Sequence, residues 1–361
     1  MNSAMPHLSL YRVIGVMSGS SLDGVDLAYC TFQYANGDWQ FSIEQAECIP
    51  YTKEWIGRLR CARGLDGRSL GKLHADYGHL LGEVIADFIT KFNLTGKVDL
   101  IASHGHTIFH YPDEHFTTQI GDGAAIATRT GVTVVCDLRS SDIALGGNGA
   151  PIVPIGDKLL FKDYNYLLNL GGIANLTIKQ KDNILAFDIC AANQALNHYA
   201  SQKGMEYDKD GQMALSGALH EPLFKALNEL AYYQKPFPKS LDNGFSTETI
   251  IPLIDSYSIG IEDKLHTYCE HVAFQVNANI TAPKREKLLI TGGGAFNTYL
   301  VSRIASHSTQ EVVIPSDTIV NYKEALIMAF LGVLRSRGEA NVLSVVTGAS
   351  RDSICGALYH P

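Results

Sequence analysis

The chain has 361 residues, 46% of them hydrophobic, enough to bury large cores in two domains. Its 29 Lys and Arg against 37 Asp and Glu give a formal charge of −8, which argues against nucleic acid or an anionic membrane surface as the main partner. The 7 cysteines are scattered with no CxxC pair, no apolar run is long enough to span a bilayer, and no signal-peptide pattern is present, so reduced thiols and a cytoplasmic location are expected.

In chain order, Arg12 to about Tyr51 alternates in strand fashion with a polar turn at Asn36-Gly37-Asp38, predicting three antiparallel strands at a sheet edge. Within it, VIGVMSGSSLDGVD (Val13 to Asp26) breaks from an apolar strand into a turn of small polar residues and then resumes apolar. Glycines and serines let backbone N–H groups converge on phosphate oxygens, and the carboxylates of Asp23 and Asp26 suit Mg²⁺, directly or through water. A bland hairpin turn, with Asp26 bonding its own backbone, is the alternative. Apolar residues at helical spacing predict a helix over Ser69–Phe92 with Ser69 as N-cap. VDLIASHGHTIFH reads as a strand running into a polar turn at Ser103-His104-Gly105, GDGAAIATRTG as a short helix and VTVVCDL as a strand.

The Gly- and Pro-rich segment LGGNGAPIVP (Leu145 to Pro154) is the predicted boundary between a first domain, 1–144, and a second, 145–361, with room for the C-terminal tail to pack back on the first. The second domain repeats the pattern: a hairpin across Leu167–Phe187 carrying NLGGIAN, a helix from Asn193 to Gln202, a surface loop at PFPKSLDNGFS, a helical region Ile259–Ile280, the strand and turn LLITGGGAFN, and a helix Lys323–Arg337. Asp188 ends an apolar strand just before a helix, where its carboxylate either faces a cleft or caps that helix. The glycines of the two downstream turns serve either phosphate approach or tight helix–strand packing.

Three glycine-rich turns, each at a strand end, resemble the two phosphate loops and the adenosine loop of the actin, Hsp70 and sugar-kinase superfamily. That resemblance implies an α/β fold: two similar actin-like ATPase (ribonuclease H-like) domains around a central nucleotide cleft. The strings MSGSSLDGVD, SHGHTIFH, QIGDGAAIATRTGVTVVCDLR, DIALGGNGAPIVP, NLGGIANLT, YDKDG and VTGAS, in this order from about Ile14 to Pro361, resemble the anhydro-N-acetylmuramic acid kinase family more closely still. The family opens the 1,6-anhydro ring of its amino sugar with water and phosphorylates O6 from ATP, in cell-wall recycling.

The resemblance assigns ATP and phosphate contacts to Gly19, Ser20, Ser21, Leu22, Asp23, Gly24, Val25 and Asp26, to Gly171, Gly172 and Asn175, and to Gly292, Gly293, Gly294 and Asn297, with Mg²⁺ at Asp23. It makes Asp188 the general base and places His104, His106, Arg139, Asp142, Asn148 and Asn193 about the sugar. It also implies a homodimer. The chain departs from the family at several points: DICAAN stands where the family has DTGPGN, His106 replaces a Gln, Ser20 a Thr, and Ser140 and Ser141 follow Arg139 where further arginines are usual. A capping or first-turn role accounts for Glu324. The alternatives are a kinase of the same fold acting on another sugar or polyol, and a non-enzymatic ATP-driven conformational protein.

Overall fold

The computed structural model describes residues 10–19, 21–180, 183–237, 239–242, 244–280 and 285–361. Its strands are β1 (Tyr11–Met17), β2 (Gly24–Ala35), β3 (Asp38–Pro50), β4 (Leu100–Ser103), β5 (His106–Tyr111), β6 (Phe116–Ile120) and β7 (Val134–Cys136). There follow β8 (Tyr166–Leu170), β9 (Ile173–Gln180), β10 (Asn183–Ala191), β11 (Lys287–Thr291), β12 (Glu311–Val313) and β13 (Ala357–Tyr359). The chain forms two compact units: the first takes Met1–Phe161 and Tyr322–Pro361, the second Lys162–Asn321.

The division therefore falls at Phe161 rather than at the Gly- and Pro-rich stretch. That stretch is pinned within the first unit, because the Asp142 carboxylate accepts a 2.8 Å hydrogen bond from Gly149 N–H and Arg139 donates to the Gly149 carbonyl at 2.6 Å. Its glycines shape a loop and do not mark a linker.

Each unit is built on the same sheet. In the first the order is β13-β7-β4-β1-β2-β3, in the second β10-β9-β8-β11-β12. In both, a three-stranded antiparallel meander (β1-β2-β3, β8-β9-β10) is extended on the side of its first strand by two parallel strands (β4 and β7, β11 and β12). This doubled α/β topology is the one the actin-like resemblance implies. β5 and β6 form a separate hairpin, and β13 adds an antiparallel edge to the first sheet.

The helix Gly67–Lys91 covers one face of the first sheet. Its Leu73, Tyr77, Leu81, Ile85 and Phe88 recur at helical spacing and pack into the core with Ile14, Val16 and Leu27. Each such side chain contributes about 1.5–3 kcal/mol when fully buried. The N-cap is Asp66 rather than Ser69: its carboxylate accepts from the N–H groups of Arg68 and Ser69 and from the Ser69 hydroxyl. The helix Asp317–Arg337 begins six residues before its predicted start. It crosses the first sheet so closely that a Cβ on Gly15 would run into the Ala325 carbonyl, and one on Gly332 would lie 2.6 Å from Ala102 Cβ. In the second unit the helix Ile261–Ala278 packs Leu265, Tyr268, Val272 and Val276 with Leu168, Leu170, Leu176 and Ile189 of the sheet. Among the described residues no helix is long and apolar enough to cross a membrane.

Candidate active site

In both units the parallel strands run the same way, so their C-terminal ends line one edge of the sheet, where α/β folds place ligands. In the first unit β1 ends in the turn from Ser18, β4 in His104-Gly105, and β7 runs into Asp137–Arg139. Strand pairing sets Val16 beside Ser103, and His104 N–H donates to the Val16 carbonyl at 3.0 Å.

The Ser18–Asp23 turn joins β1 to β2. Leu22 takes a left-handed φ of 60°, Ser21 and Asp23 are exposed, and Gly24 lies so tightly against β3 that a Cβ would strike the Ile49 carbonyl. Ser20 lies outside the described residues. The Val25 side chain is 1% exposed and belongs to the core, and Val25 pairs with Ile49, so its backbone is the part left to meet a phosphate. Asp26 sits within β2, opposite Met17 and Cys48, and is no turn residue. Burial raises its pKa, a hydrogen bond from the Cys48 thiol opposes the rise, and the charge of Asp23 adds to it.

Arg139 and His104 hold each other. Arg139 Nε–H donates to His104 Nε2 at 2.9 Å, and His104 Nδ1–H donates to the Gly105 carbonyl at 3.0 Å. Both ring nitrogens of His104 are thus taken. Burial, reinforced by the Arg139 charge, lowers its pKa to about 3. With Nε given to His104 and Nη1 to Gly149, the Nη2 end of the guanidinium has no hydrogen-bond partner among the described residues. Burial also lowers the Arg139 pKa to about 10, against the pull of Glu324 and Asp142.

Asp142, expected about the sugar, has both carboxylate oxygens engaged within the protein. It is fully buried, one oxygen accepting from Gly149 N–H and the other from the Thr347 hydroxyl at 2.8 Å, so it fastens the 145–149 loop to the C-terminal segment. Asn148, by contrast, is exposed at the tip of that loop. Ser140 donates to Asp137.

Glu324 is a residue whose place in its helix the sequence reading got wrong. It lies in the interior of the helix Asp317–Arg337, not in its first turn. Burial raises its pKa, the charges of Lys323 and Arg139 oppose this, and Asp26 adds to it. The close packing at Gly15 and Gly332 brings this carboxylate within electrostatic reach of both Asp26 and Arg139. Among the described residues no three His, Cys, Asp or Glu side chains form a protein-only metal cage. An exposed carboxylate at Asp23 beside the half-buried Asp26 fits a cation that takes one or two protein oxygens and completes its shell with phosphate and water, as Mg²⁺ does.

In the second unit β8 ends in Gly171-Gly172 and β11 in Gly292–Gly294. The two turns lie back to back: a Cβ on Gly292 would lie 2.5 Å from Asn169 Oδ1, and one on Gly294 2.7 Å from Leu170 Cβ. The Gly171 and Gly172 carbonyls accept the N–H groups of Ala192, Asn193 and Gln194, bracing the start of the helix Asn193–Ser201.

Register aligns one polar row across four strands: Thr291 opposite Asn169, Asn169 opposite Asn175, and Asn175 opposite Asp188. Directly opposed residues share a face, so the row lies on the face away from Leu168, Leu170, Ala174, Leu176 and Ile189 of the core. Asn169 was not singled out from the sequence. Asp188 does not cap a helix, since the cap position before Asn193 is Ala192. Its Oδ2 accepts from Leu241 N–H at 2.9 Å, its own N–H donates to the Lys239 carbonyl, and Tyr232 donates to its carbonyl. The predicted surface loop therefore clamps this carboxylate. Burial raises the Asp188 pKa, against the Leu241 N–H. The segment after it that departs from the family pattern is packed inside: Cys190, Ala191 and Ala192 are at most 1% exposed.

A cavity of about 530 Å³ opens beside the second turn, lined by Asn193, Leu196, Asn197, Tyr207, Asp208, Lys209, Asp210, Gly293, Gly294, Phe296 and Asn297. Its size and its mixture of aromatic and polar groups suit a nucleoside. Tyr207 and Phe296 are 54% and 40% exposed, with faces free to stack. Asn193 donates to the Leu170 carbonyl, and Asn297 caps the helix Thr298–His307 by accepting from Leu300 N–H. Asp188, Gly171, Gly172 and Asn175 do not line this cavity. The YDKDG string that forms its wall was read only as a family marker.

The family model described as anhydro-N-acetylmuramic acid kinase matches residues 11–361. Curated relatives bearing that name include one from Hydrogenovibrio crunogenus, 33% identical over 99% of this chain and 99% of its own length. Another, from Vibrio cholerae, is 33% identical over 96% of this chain and 98% of its own length. Among solved structures, the activator of the 2-hydroxyisocaproyl-CoA dehydratase from Clostridium difficile, with bound ADPNP, aligns over 91% of this chain and 96% of that chain with a TM-score of 0.46 and 15% identity. With the family match running almost end to end and relatives above 30% identity along their full length, this chain belongs to the anhydro-N-acetylmuramic acid kinase family.

Proposed function

We propose that the chain transfers the γ-phosphoryl group of ATP to O6 of 1,6-anhydro-N-acetylmuramic acid while water adds across the anhydro bond, giving N-acetylmuramic acid 6-phosphate and ADP in cell-wall recycling. Asp188 is the general base. It takes a proton from the water that attacks C1, the C1–O6 bond breaks, and the freed O6 attacks the γ-phosphorus. A half-buried carboxylate of raised pKa suits this role, because a base works best with a pKa moved toward the working pH.

The observation that carries the reading is register: Asp188 stands directly opposite Asn175, on the hairpin whose turn is Gly171-Gly172. Base and phosphate turn are thus built into one rigid piece of sheet. The nucleoside occupies the cavity between Tyr207 and Phe296, with Asn193 and Asn297 as polar contacts. In the first unit the Ser18–Asp26 segment contributes to the phosphates, and the Arg139 Nη2 end meets the lactyl carboxylate of the sugar. Asp23, with Asp26 beside it, would hold Mg²⁺ directly or through water, and the ion would supply neutralisation of phosphate charge. A homodimer in the cytoplasm belongs to the same reading and rests on the family resemblance.

The test is a coupled ADP-release assay with 1,6-anhydro-N-acetylmuramic acid beside N-acetylmuramic acid and N-acetylglucosamine. Turnover restricted to the anhydro sugar, with one solvent ¹⁸O at C1 of the product, is the expected result. Equal turnover of the open-ring sugars, or product without solvent oxygen, would remove the hydrolytic step.

A further inference from the structure

Four side chains of the first unit form one buried hydrogen-bonded line. His106 Nδ1 lies 2.9 Å from Ser18 Oγ, Ser18 Oγ lies 2.7 Å from Tyr51 Oη, and Tyr51 Oη lies 2.5 Å from Tyr77 Oη. Ser18 is 4% exposed, His106 6% and Tyr77 0%. The line begins at the first turn and ends blind in the core against the helix Gly67–Lys91.

Each hydroxyl carries one proton, and that count sets the direction of the line. Among the described residues Tyr51 Oη is the one acceptor within full hydrogen-bond distance of Tyr77 Oη, with the Ser18 hydroxyl farther off beside it. The Tyr77 proton therefore goes to Tyr51 Oη, the Tyr51 proton to Ser18 Oγ, and the Ser18 proton to His106 Nδ1. The opposite direction would start from a proton on Nδ1 and finish with the Tyr77 proton lacking an acceptor at full hydrogen-bond distance, the Ser18 hydroxyl lying farther off than Tyr51. A buried donor left unpaired is strongly disfavoured. Nδ1 is thus an acceptor, and the ring proton sits on Nε2, which has no partner among the described residues.

His104, two residues earlier, is the opposite case: Nδ1–H is spent on Gly105 and Nε2 on Arg139. Of the two histidines that the sequence offers as sugar contacts, His106 alone retains a ring N–H to give.

We infer that His106 is fixed as its Nε2–H tautomer and acts as an obligate hydrogen-bond donor to a neutral oxygen of the sugar, with Ser18, Tyr51 and Tyr77 as its positioning residues. The donor role rests on the kinase reading above, whereas the tautomer does not. A hydroxyl, ring ether or amide carbonyl oxygen satisfies such a donor, and a group that only donates is refused. Burial keeps the ring neutral, lowering its pKa to about 4.

The first test is ring ¹⁵N NMR of the full-length, ligand-free protein, with the His106 signals identified by their loss in His106→Gln. An unprotonated Nδ1 and a protonated Nε2 are expected in the wild type, and a mixture of tautomers in Ser18→Ala. A protonated Nδ1 in the wild type would overturn the inference. The second test is kinetic. His106→Phe, which has no donor, raises KM for the anhydro sugar by about tenfold or more with KM for ATP unchanged, and His106→Gln, which keeps a side-chain N–H, recovers most of that loss. Gln behaving no better than Phe, or both KM values rising together, would overturn the donor role. Wild-type protein inactive on the anhydro sugar would instead defeat the kinase reading and leave the ring spectrum to judge the tautomer.

Discussion

Asp188 shows how surroundings fit one side chain for the role of base proposed for it. A free aspartate is fully ionised at neutral pH and a weak base. Here β10 half-buries it and one loop N–H holds a single oxygen, so its pKa rises without losing the charge that proton abstraction needs. Asp188→Asn keeps the shape and removes the basicity. Turnover is expected to fall by about 10²–10⁴-fold in the ADP-release assay while ATP affinity, read by calorimetry, stays at the wild-type value. The acidic limb of the kcat profile is expected above the ordinary aspartate range, because activity needs the ionised form. Near-normal turnover of the Asn variant would take Asp188 out of the mechanism. Arg139 makes a complementary case. Its planar fork reaches His104 and the Gly149 carbonyl together, which a lysine ammonium on a flexible stem does not reproduce. Arg139→Lys is therefore expected to lower stability by about 1–3 kcal/mol in urea titration, through the buried acceptor left unpaired, and to raise the sugar KM. Unchanged stability and unchanged KM would show the fork to be dispensable.

At the scale of elements, the site is a set of strand ends, and the glycines there answer to backbone geometry. Gly292 adopts φ 80° and ψ 163°, a region open essentially to glycine, and its missing Cβ makes room for the Asn169 amide. Gly292→Ala is expected to destabilise the protein by about 1–3 kcal/mol and to raise KM for ATP, since the shift displaces Gly293 and Gly294, which line the cavity proposed for the nucleoside. A fully stable variant with normal ATP binding would show that the turn tolerates a side chain. These strand ends were legible in the sequence because an apolar run followed by glycines marks both a buried strand and a turn. The meander around Asn36-Gly37-Asp38, the long helix, and the placement of Gly171 and Gly292 just past apolar strands and of Asp188 late in another all follow from such local signals. What stayed hidden depends on tertiary packing. Asn169 gains meaning only when β8 is laid beside β9 and β11. Tyr207–Asp210 and Phe296 are far apart in sequence and meet only around a cavity. Glu324 reads as a first-turn residue because the polar start of its helix, Asp317 to Asn321, breaks the apolar periodicity. Gly and Pro at 145–154 imitate a linker, and only the hydrogen bonds from Asp142 and Arg139 show that they belong to a folded loop.

For the molecule as a whole, three histidines that are buried among the described residues link stability to pH. His104 and His106 belong to the first unit and His271 to the second. Burial lowers their pKa values to about 3, about 4 and about 3. His271 is locked as firmly as His104: Nδ1–H donates to Asn228 Oδ1 at 2.8 Å, and Nε2 accepts from the Tyr233 hydroxyl at 2.9 Å. A second proton would turn an acceptor nitrogen toward a donor. The unfolded chain has no such constraint and takes up protons near pH 6.5. Between that pH and the folded values the unfolded state binds more protons, so stability falls as pH falls, by up to about 1.4 kcal/mol per pH unit for each histidine. The carboxyls with raised pKa values, Asp26, Asp188 and Glu324, work the other way at the acidic end of this window, because the folded state holds their protons more readily. Urea titrations from pH 7.5 to 5 are therefore expected to show stability flat above about pH 6.5 and declining below it. His271→Asn, which cannot ionise, is expected to lose one histidine's share of that slope in the unfolding of the second unit. An unchanged slope in that variant would mean that His271 is already protonated in the folded protein, and that its two hydrogen bonds run in directions other than those the burial of the ring requires.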